Sequence, residues 1–318
     1  MKNILMLAFL LLVSCRSITG NENFQNCTWS KIDSPTDGAI NSILINKDDD
    51  ILIRTAIPGE TYRLLHSHDT WDTLNIGGSY LNSTLKIGET FLYASGPSLV
   101  FFSNNNGNSW EAKPLFSILN QANTIELDNN ENIYMGFALW GVFLSENFGN
   151  SWTPIGLRDK MIYTLCCSPA NNIYAGTDSG LYVYQNKTGE WLKKTELPNI
   201  HSMAFIDTNT FYAGTFNQLY KLSNEGSSLD SLSIKGCSVN AILIDENNSI
   251  IIATHKGDSK QPQTVTGEVN ISYDHGITWE PYGNNLPNVG IFSLAFDINK
   301  NVIAGTLNLG LYKLVLKR

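Results

Sequence analysis

A turn motif of eight residues recurs along the chain and constrains the fold more than any other feature. The segment Ser272–Trp279 (SYDHGITW) fits the pattern S-x-D-x-G-x-T-W, and Ser103–Trp110 and Ser145–Trp152 fit it with Asn for Asp and Ser for Thr. Degenerate copies end at Trp71 and Trp191. In such a turn the Asx side chain bonds nearby backbone, the glycine supplies a positive φ, and the Trp packs the turn onto a core. A chain that repeats this motif is predicted to fold as repeated β-hairpins.

The copies return at a nearly constant interval. Taking Trp29 as the first mark and a worn copy at Ser223–Leu229 as the sixth, consecutive marks lie 38 to 50 residues apart. This interval is typical of one four-stranded blade of a β-propeller. Seven marks therefore predict seven blades.

Two further elements keep the same interval. The segment Ala175–Tyr182 (AGTDSGLY) recurs as Ala213–Tyr220 (AGTFNQLY) and as Ala304–Tyr312 (AGTLNLGLY). Each copy follows an Asn- or Asp-rich turn between two apolar runs, which is typical of a hairpin. These turns are Asn46–Asp50, Asp128–Asn132, Pro169–Asn172, Asp207–Thr210, Asp245–Ser249 and Asp297–Asn301. One repeat is thus predicted to hold an inner strand, an Asx turn, a second strand, a Gly-Thr loop, a third strand, a Trp turn and an outer strand.

The Trp turns resemble Asp-box hairpins, also called bacterial neuraminidase repeats. The Gly-Thr segments resemble blades of two-component-regulator propellers and of photosystem assembly-factor-like propellers. The resemblance covers residues 24–318 and implies an all-β, seven-bladed β-propeller. The chain ends in a third strand at Gly310–Leu314, whereas Cys27–Ser30 reads as an outer strand without a blade. We expect the N-terminal strand to complete the last blade, which leaves no open sheet edge at the seam.

The N-terminus is predicted to carry an export signal. Lys2 precedes an apolar run, Ile4–Val13, that is too short to span a bilayer. The sequence before Cys15 resembles a bacterial lipobox, which implies that residues 1–14 are removed and that Cys15 is lipidated. Residues 15–23 then form the lipidated Cys and a tether. The alternative is an ordinary signal peptide cut near Ser14 or Ser17. We expect a protein exported to the bacterial cell envelope and anchored there, with the outer membrane as the expected address.

The composition limits the classes of partner and ligand that the chain is expected to bind. The formal net charge is −8 and the few Lys and Arg are scattered, so no basic face for nucleic acid is predicted. Hydrophobic residues make up 42% of the chain, enough for a large core, and we expect a monomer. No cofactor or metal is expected, because spaced Cys and His ligands and the closing Glu of a calcium loop are lacking. The thiols at Cys27, Cys166, Cys167 and Cys237 are predicted to be buried within strands, with their disulfide state left open.

The resemblance assigns the Trp-turn residues to structure and predicts no catalytic residue. The twelve structural positions are Ser103, Asn105, Gly107, Trp110, Ser145, Asn147, Gly149, Trp152, Ser272, Asp274, Gly276 and Trp279. Propellers bind ligands on the opposite face, built from loops that join the second to the third strand and one blade to the next. The candidate positions on that face are Arg54, Phe137, Trp140, Asp178, His201, Phe216, His255 and Asp258, and the loop at residues 255–268 carries an insertion.

The leading hypothesis is a non-enzymatic binding or scaffolding module for a glycan or an envelope protein. The alternative is a polysaccharide-acting hydrolase or lyase, whose two carboxylates would come from the set Asp159, Asp178, Asp258 and Glu268. A sialidase is disfavoured, because its three substrate-binding arginines would have to be Arg54, Arg63 and Arg158. A sensor propeller is a third reading, in which signalling acts through a separate partner because the chain stops at Arg318.

Overall fold

In a computed structural model, the described residues are 27–56, 59–67, 70–74, 76, 85–87, 91–95, 99–105, 107–115, 122–186, 188–257 and 265–316. The predicted signal segment 1–14, lipidation at Cys15 and tether 15–23 lie outside these residues. Asp258 and the other insertion residues up to residue 264 also lie outside the described part of the chain.

The described residues form 28 strands that pair into seven four-stranded antiparallel sheets. Blade 1 contains β2 (Ile40–Ile45), β3 (Ile51–Thr55), β4 (Thr61–Leu64) and β5 (Trp71–Leu74). Blade 2 contains β6 (Leu85–Ile87), β7 (Phe91–Ser95), β8 (Leu99–Ser103) and β9 (Glu111–Pro114). Blade 3 contains β10 (Ala122–Leu127), β11 (Ile133–Phe137), β12 (Gly141–Ser145) and β13 (Thr153–Gly156). Blade 4 contains β14 (Ile162–Cys167), β15 (Ile173–Thr177), β16 (Gly180–Gln185) and β17 (Glu190–Thr195).

The remaining sheets follow the same order. Blade 5 contains β18 (Ser202–Phe205), β19 (Phe211–Gly214), β20 (Gln218–Ser223) and β21 (Ser228–Lys235). Blade 6 contains β22 (Ser238–Ile244), β23 (Ile250–His255), β24 (Val269–Ser272) and β25 (Glu280–Pro281). Blade 7 contains β26 (Ile291–Phe296), β27 (Val302–Thr306), β28 (Leu311–Leu316) and, as its outer strand, β1 (Cys27–Ile32). In blade 2 side chains are described only on β8 and β9, so the packing arguments below use the other six sheets.

The first strands of consecutive sheets contact one another in a closed ring, from β2 through β6, β10, β14, β18, β22 and β26 back to β2. Radial sheets around such a ring are a β-propeller, so the predicted all-β propeller is confirmed. The predicted closure is also present: β1 pairs with β28 from Cys27–Leu316 to Ile32–Leu311. The Trp29 indole, 3% exposed, donates a 2.6 Å hydrogen bond from Nε1 to the carbonyl of Tyr282.

Glycine in the Gly-Thr segments lets neighbouring blades approach closely. Gly176 on β15 faces Ile200, just before the inner strand of blade 5, and a Cβ at this position would lie 2.5 Å from the Ile200 carbonyl oxygen. Gly214 on β19 stands against Val239 of blade 6 in the same way. The blades pack through apolar cores that combine residues of both neighbours, such as Tyr134 of blade 3 with Ile162 of blade 4. The repeated glycine therefore reflects the contact between blades.

The three complete Trp turns share one set of hydrogen bonds. In each, the glycine N–H donates to the hydroxyl of the first serine at 2.8 Å, as Gly276 does to Ser272. The Asx Oδ1 accepts the N–H of the residue before the Trp, at 2.8 to 2.9 Å. In the third copy, hydrogen bonds from the hydroxyl and the backbone N–H of Thr278 lower the pKa of Asp274 to about 2. The polar atoms of these side chains are therefore engaged in holding the turn.

The Asn- and Asp-rich turns follow the same chemistry. Oδ1 of Asp128 accepts the backbone N–H groups of Asn130 and Asn132 at 2.8 and 2.9 Å, and Oδ2 accepts the Asn132 side chain. Asp297 holds its turn through equivalent bonds to Asn301. These bonds account for the Asx residues as turn formers.

The predicted burial of the thiols is correct for one of the four positions. Cys27 on β1 is buried, whereas Cys166 and Cys167 on β14 are half-buried. Cys237 is also half-buried and lies in the bend between β21 and β22, outside a strand. Among the described residues, no helix has the length and apolar character needed to cross a membrane.

Candidate functional site

Five inner strands carry a one-residue bulge near their first residue, and a sixth has a residue at the equivalent position. Register shifts place it at Asn41, Asn123, Tyr163, Asn240 and Phe292. In blade 5 the same position is His201, whose N–H donates to the Gly214 carbonyl at 3.0 Å. The flanking residues are largely buried between blades, while the bulged residues are half-buried. Because a bulge redirects a side chain, we assign these six residues to the mouth of the central channel and name them the mouth ring.

Hydrogen bonds tie the mouth ring to neighbouring blades. The amides of Asn123 and Asn240 donate to the carbonyls of Ile162 and Ile291, at 2.9 and 2.8 Å, so that each reaches the next blade. These bonds fix the orientation of two of the six side chains.

An aromatic platform stands on one side of the ring. Phe216, in the loop between β19 and β20, lies 4.7 Å from the His201 ring and 5.9 Å from the Tyr163 ring, between centroids. Although it is held by two rings, Phe216 remains 47% exposed. A large apolar side chain fixed in position at the surface is suited to stacking on a partner.

A polar chain links the platform to a second aromatic pair. The Asn240 amide orientation is set by its bond to the Ile291 carbonyl, so its Oδ1 accepts the Ser238 hydroxyl at 2.9 Å and its Nδ2 donates to His255 Nδ1 at 2.7 Å. Ser238 Oγ therefore accepts from His201 Nε2, 3.0 Å away. His255 stacks on Phe292 with ring centroids 5.3 Å apart. In this arrangement His255 carries its proton on Nε2.

Both histidines are held in the neutral form. Burial, with a smaller contribution from nearby His255, lowers the pKa of His201 to about 4, although a backbone bond with Thr215 opposes this. Burial also lowers the pKa of His255. At neutral pH this part of the mouth is uncharged.

The low pKa of His201 predicts an acid-sensitive fold. The unfolded state binds a proton near pH 6.5 and the folded state only near pH 4, so stability falls as the pH drops through this window. Between pH 7 and pH 4.5 we expect His201 to account for a loss of about 2 kcal/mol in the free energy of unfolding. Urea titrations at both pH values measure it. His201→Asn should remove this part of the pH-dependent loss of stability. His275→Asn, a control at an exposed histidine, should retain it. Equal losses of stability in the two variants would contradict the assignment.

Two predicted ligand-face residues are buried within strands. Phe137 is the last residue of β11, is 1% exposed, and packs edge-on against Phe143. Its counterpart in blade 4 is Thr177, whose hydroxyl donates to the Gly180 carbonyl and closes the loop between the second and third strands. Arg54 pairs with Ser42 at the position where blades 3, 4, 5 and 7 have glycine, and burial lowers the pKa of Arg54 to about 10. Neither side chain joins the exposed part of the face.

The other described candidates do lie on this face. Trp140 is 40% exposed, and the Arg158 guanidinium lies 5.7 Å from its ring centroid. Asp178 is half-buried and accepts the Met161 N–H at 3.3 Å. His201, Phe216 and His255 form the linked cluster described above. Within the described part of the chain, no three His, Cys, Asp or Glu side chains come together as a metal site.

A cleft of about 380 Å³ lies at the base of the insertion, beside blade 6. Its walls include Cys237, Lys256, Glu268 and Asn270. The outer strand β25 has only two residues and pairs with Asn270 and Ile271, so it covers little of β24. Burial raises the pKa of the Cys237 thiol, with a further upward effect from Glu268.

Sequence reasoning missed most of the mouth ring. Of its six members only His201 had been a candidate, although a signal was available. Each member follows an apolar residue and, in five blades, precedes Ser or Thr, as in Ile40-Asn41-Ser42 and Ile162-Tyr163-Thr164. The bulge that redirects the middle residue follows from the pairing register, which a single sequence does not reveal.

Comparison with known proteins supports the fold. No protein-family model matches the chain, and no curated protein matches it. The structure of YCF48 from Cyanidioschyzon merolae is similar, with a TM-score of 0.69, 15% identity, and coverage of 90% of this chain and 98% of that one. A second YCF48 structure has D1 peptide bound.

Two other similar structures come from proteins of different kinds. The extracellular domain of the one-component system BT4673 from B. thetaiotaomicron gives a TM-score of 0.70 at 16% identity, over 92% of this chain and 40% of that one. Streptogramin B lyase gives 0.73 at 13% identity, over 93% of this chain and all of that one. At these identities the likeness shows the fold alone, and the chain is a β-propeller similar in architecture to all three.

Proposed function

We propose that this protein is a non-enzymatic binding or scaffolding module of the bacterial cell envelope. A lipid on Cys15 holds it there, with the outer membrane as the proposed address, and it acts as a monomer. The Trp turns are proposed to be Asp boxes with a structural role. The partner is a glycan or an envelope protein that docks on the face carrying the mouth ring and the 255–268 loop.

The exposed, immobilised ring of Phe216 is the observation that carries this proposal. Ordering a flexible side chain on binding costs roughly 0.5 to 1.5 kcal/mol, and Phe216 avoids part of that cost because His201 and Tyr163 already hold it. Solvent exposure of a large aromatic surface at the mouth of a rigid scaffold favours a stacking partner. A glycan is the leading ligand, since sugar rings present apolar C–H faces to such side chains.

A protein partner is the second candidate, supported by a separate observation. Leu139, 55% exposed, and Trp140 form an apolar projection in the loop between β11 and β12. Its backbone is braced, because Leu139 N–H donates to the Lys160 carbonyl at 2.9 Å and the Asp159 N–H donates back to Leu139 at 3.0 Å. A braced apolar projection is suited to a protein interface.

A retention assay tests the proposal. The full chain in mild detergent is incubated with purified polysaccharides and sialylated glycans, and both retained glycan and released shorter products are recorded. Phe216→Ala is expected to lower retention about tenfold, which corresponds to about 1.4 kcal/mol. The matched control is Phe148→Ala, because Phe148 is 49% exposed in a Trp turn and should not affect retention.

The other outcomes discriminate between the candidates. Without retained glycan, crosslinking to envelope proteins that is lost in Trp140→Ala supports the protein partner. Shorter products that disappear in Asp178→Asn would overturn the proposal and establish a polysaccharide-acting enzyme. Absence of both retention and crosslinking would also count against a binding module.

A further inference from the structure

We propose that the mouth ring binds an uncharged sugar, the terminal residue of a neutral glycan, and discriminates against acidic sugars. This inference rests on the proposed binding function and names its ligand class.

The first step is the charge of the ring. Its six members are three asparagines, a tyrosine, a histidine and a phenylalanine, and none carries a formal charge when the histidine is neutral. They are Asn41, Asn123, Tyr163, His201, Asn240 and Phe292. The side chains joined to them in the described cluster are Phe216, Ser238 and His255, which are also uncharged in the neutral tautomers. The described side chains of this cluster therefore offer hydrogen bonds and aromatic faces without a charge of their own.

The hydrogen-bond chain favours the neutral form of both histidines. His255 Nδ1 accepts from Asn240, and Ser238 gives its single proton to the same amide. Among the described residues, the titratable and charged groups placed near this cluster include Asp178 beside Tyr163, the exposed Lys256 that follows His255, and Cys237 before Ser238. Protonating one histidine would place a cation close to the other in a half-buried site.

The second step is the cost of binding an anion there. A carboxylate that loses water without gaining a cation is penalised by several kcal/mol. Lys256 beside the cleft and Arg158 against Trp140 are exposed, whereas Arg54 is buried in blade 1, where its guanidinium donates to the Thr61 hydroxyl. Exposed charges of this kind compensate little, because solvent screens them.

The third step is what a neutral sugar gains. His255 Nε2 is left as a donor by its tautomer, and the Tyr163 hydroxyl adds a group that both donates and accepts. Phe216 supplies an exposed aromatic face beside them. Hydroxyl groups on one edge and C–H groups on the flat face of a pyranose match this combination of polar groups and apolar surface.

Calorimetric titration of the full chain in detergent tests the ligand class. Oligosaccharides are used in matched pairs, identical except that one member ends in a neutral hexose and the other in sialic acid or a uronic acid. We expect the neutral member to bind at least tenfold more tightly. Phe216→Ala should weaken neutral binding about tenfold, Phe148→Ala should leave it unchanged, and Phe216→Arg should reduce the preference for the neutral member.

Three results would overturn the inference. Equal or tighter binding of the acidic member contradicts the neutral site while leaving a glycan-binding module in place. Binding of neutral sugars that is insensitive to Phe216→Ala places them elsewhere on the molecule. Failure of every sugar to bind, with crosslinking to an envelope protein, rejects the sugar but retains the binding function, whereas failure of both rejects the function too.

Discussion

Replacing Gly176 by alanine is expected to lower the free energy of unfolding by about 3 kcal/mol. The new methyl group would lie 2.5 Å from the backbone carbonyl oxygen of Ile200, and it would also meet the side chains of Ile200 and Thr164. A backbone atom of the next blade cannot move aside without shifting that blade, so the strain is not relieved locally. The glycine of the Gly-Thr segment thus sets the spacing between blades.

Urea or guanidinium denaturation of the full chain measures this effect. Gly236→Ala is the matched control, because nothing lies within 4 Å of a Cβ there and the cost comes only from its φ of +74°. We expect that control to lose about 1 kcal/mol. If Gly176→Ala were no more destabilising than Gly236→Ala, close approach of the blades would not explain the repeated glycine.

Replacing Trp29 by alanine is expected to cost about 4 kcal/mol. The indole is buried in the apolar core shared by blades 6 and 7, and it bonds the Tyr282 carbonyl. The backbone of the same residue donates to Asn284 at 2.8 Å, so this position fastens β1 to the loop before β26 as well as to β28. Its loss removes both a packed side chain and a hydrogen bond at the seam of the ring.

Thermal and denaturant unfolding of Trp29→Ala and Trp140→Ala separate burial from residue type. Trp140→Ala removes the same side chain from the surface and should change stability by less than about 1 kcal/mol. Similar losses in the two variants would show that the seam contributes no more than an exposed loop.

Most of the architecture was accessible from the sequence because it depends on local turn chemistry. In the Trp turns and Asx turns, the hydrogen bonds join residues at most four apart. A motif such as Ser272–Trp279 therefore contains all the residues that form its turn. The pairing of β1 with β28 could be inferred because each lacked a partner strand. The strands predicted at Gly310–Leu314 and Cys27–Ser30 correspond to β28 and β1, with ends that agree within two residues.

The site was less accessible because it depends on register and on relations between blades. Phe137 looked like a loop aromatic, but pairing with Ala122 makes it the final residue of a strand and buries it. Asn240 was overlooked because its importance comes from Ser238, His255 and Ile291, which three separate segments supply. Phe216 was identified because a loop of only three residues left its position unambiguous, since Thr215 closes that loop on Gln218.

The pairing of β1 with β28 has a consequence for how the chain acquires its structure. The two strands come from opposite ends of the sequence, so the ring cannot close until nearly the whole polypeptide is available. Contacts of such large sequence separation slow folding, because the entropy of joining the ends must be overcome first. Until then β1 lacks its partner strand, and an unpaired strand edge is prone to intermolecular pairing. During synthesis, the interval between the emergence of Cys27 and that of Leu316 is the period in which the chain depends most on protection from aggregation.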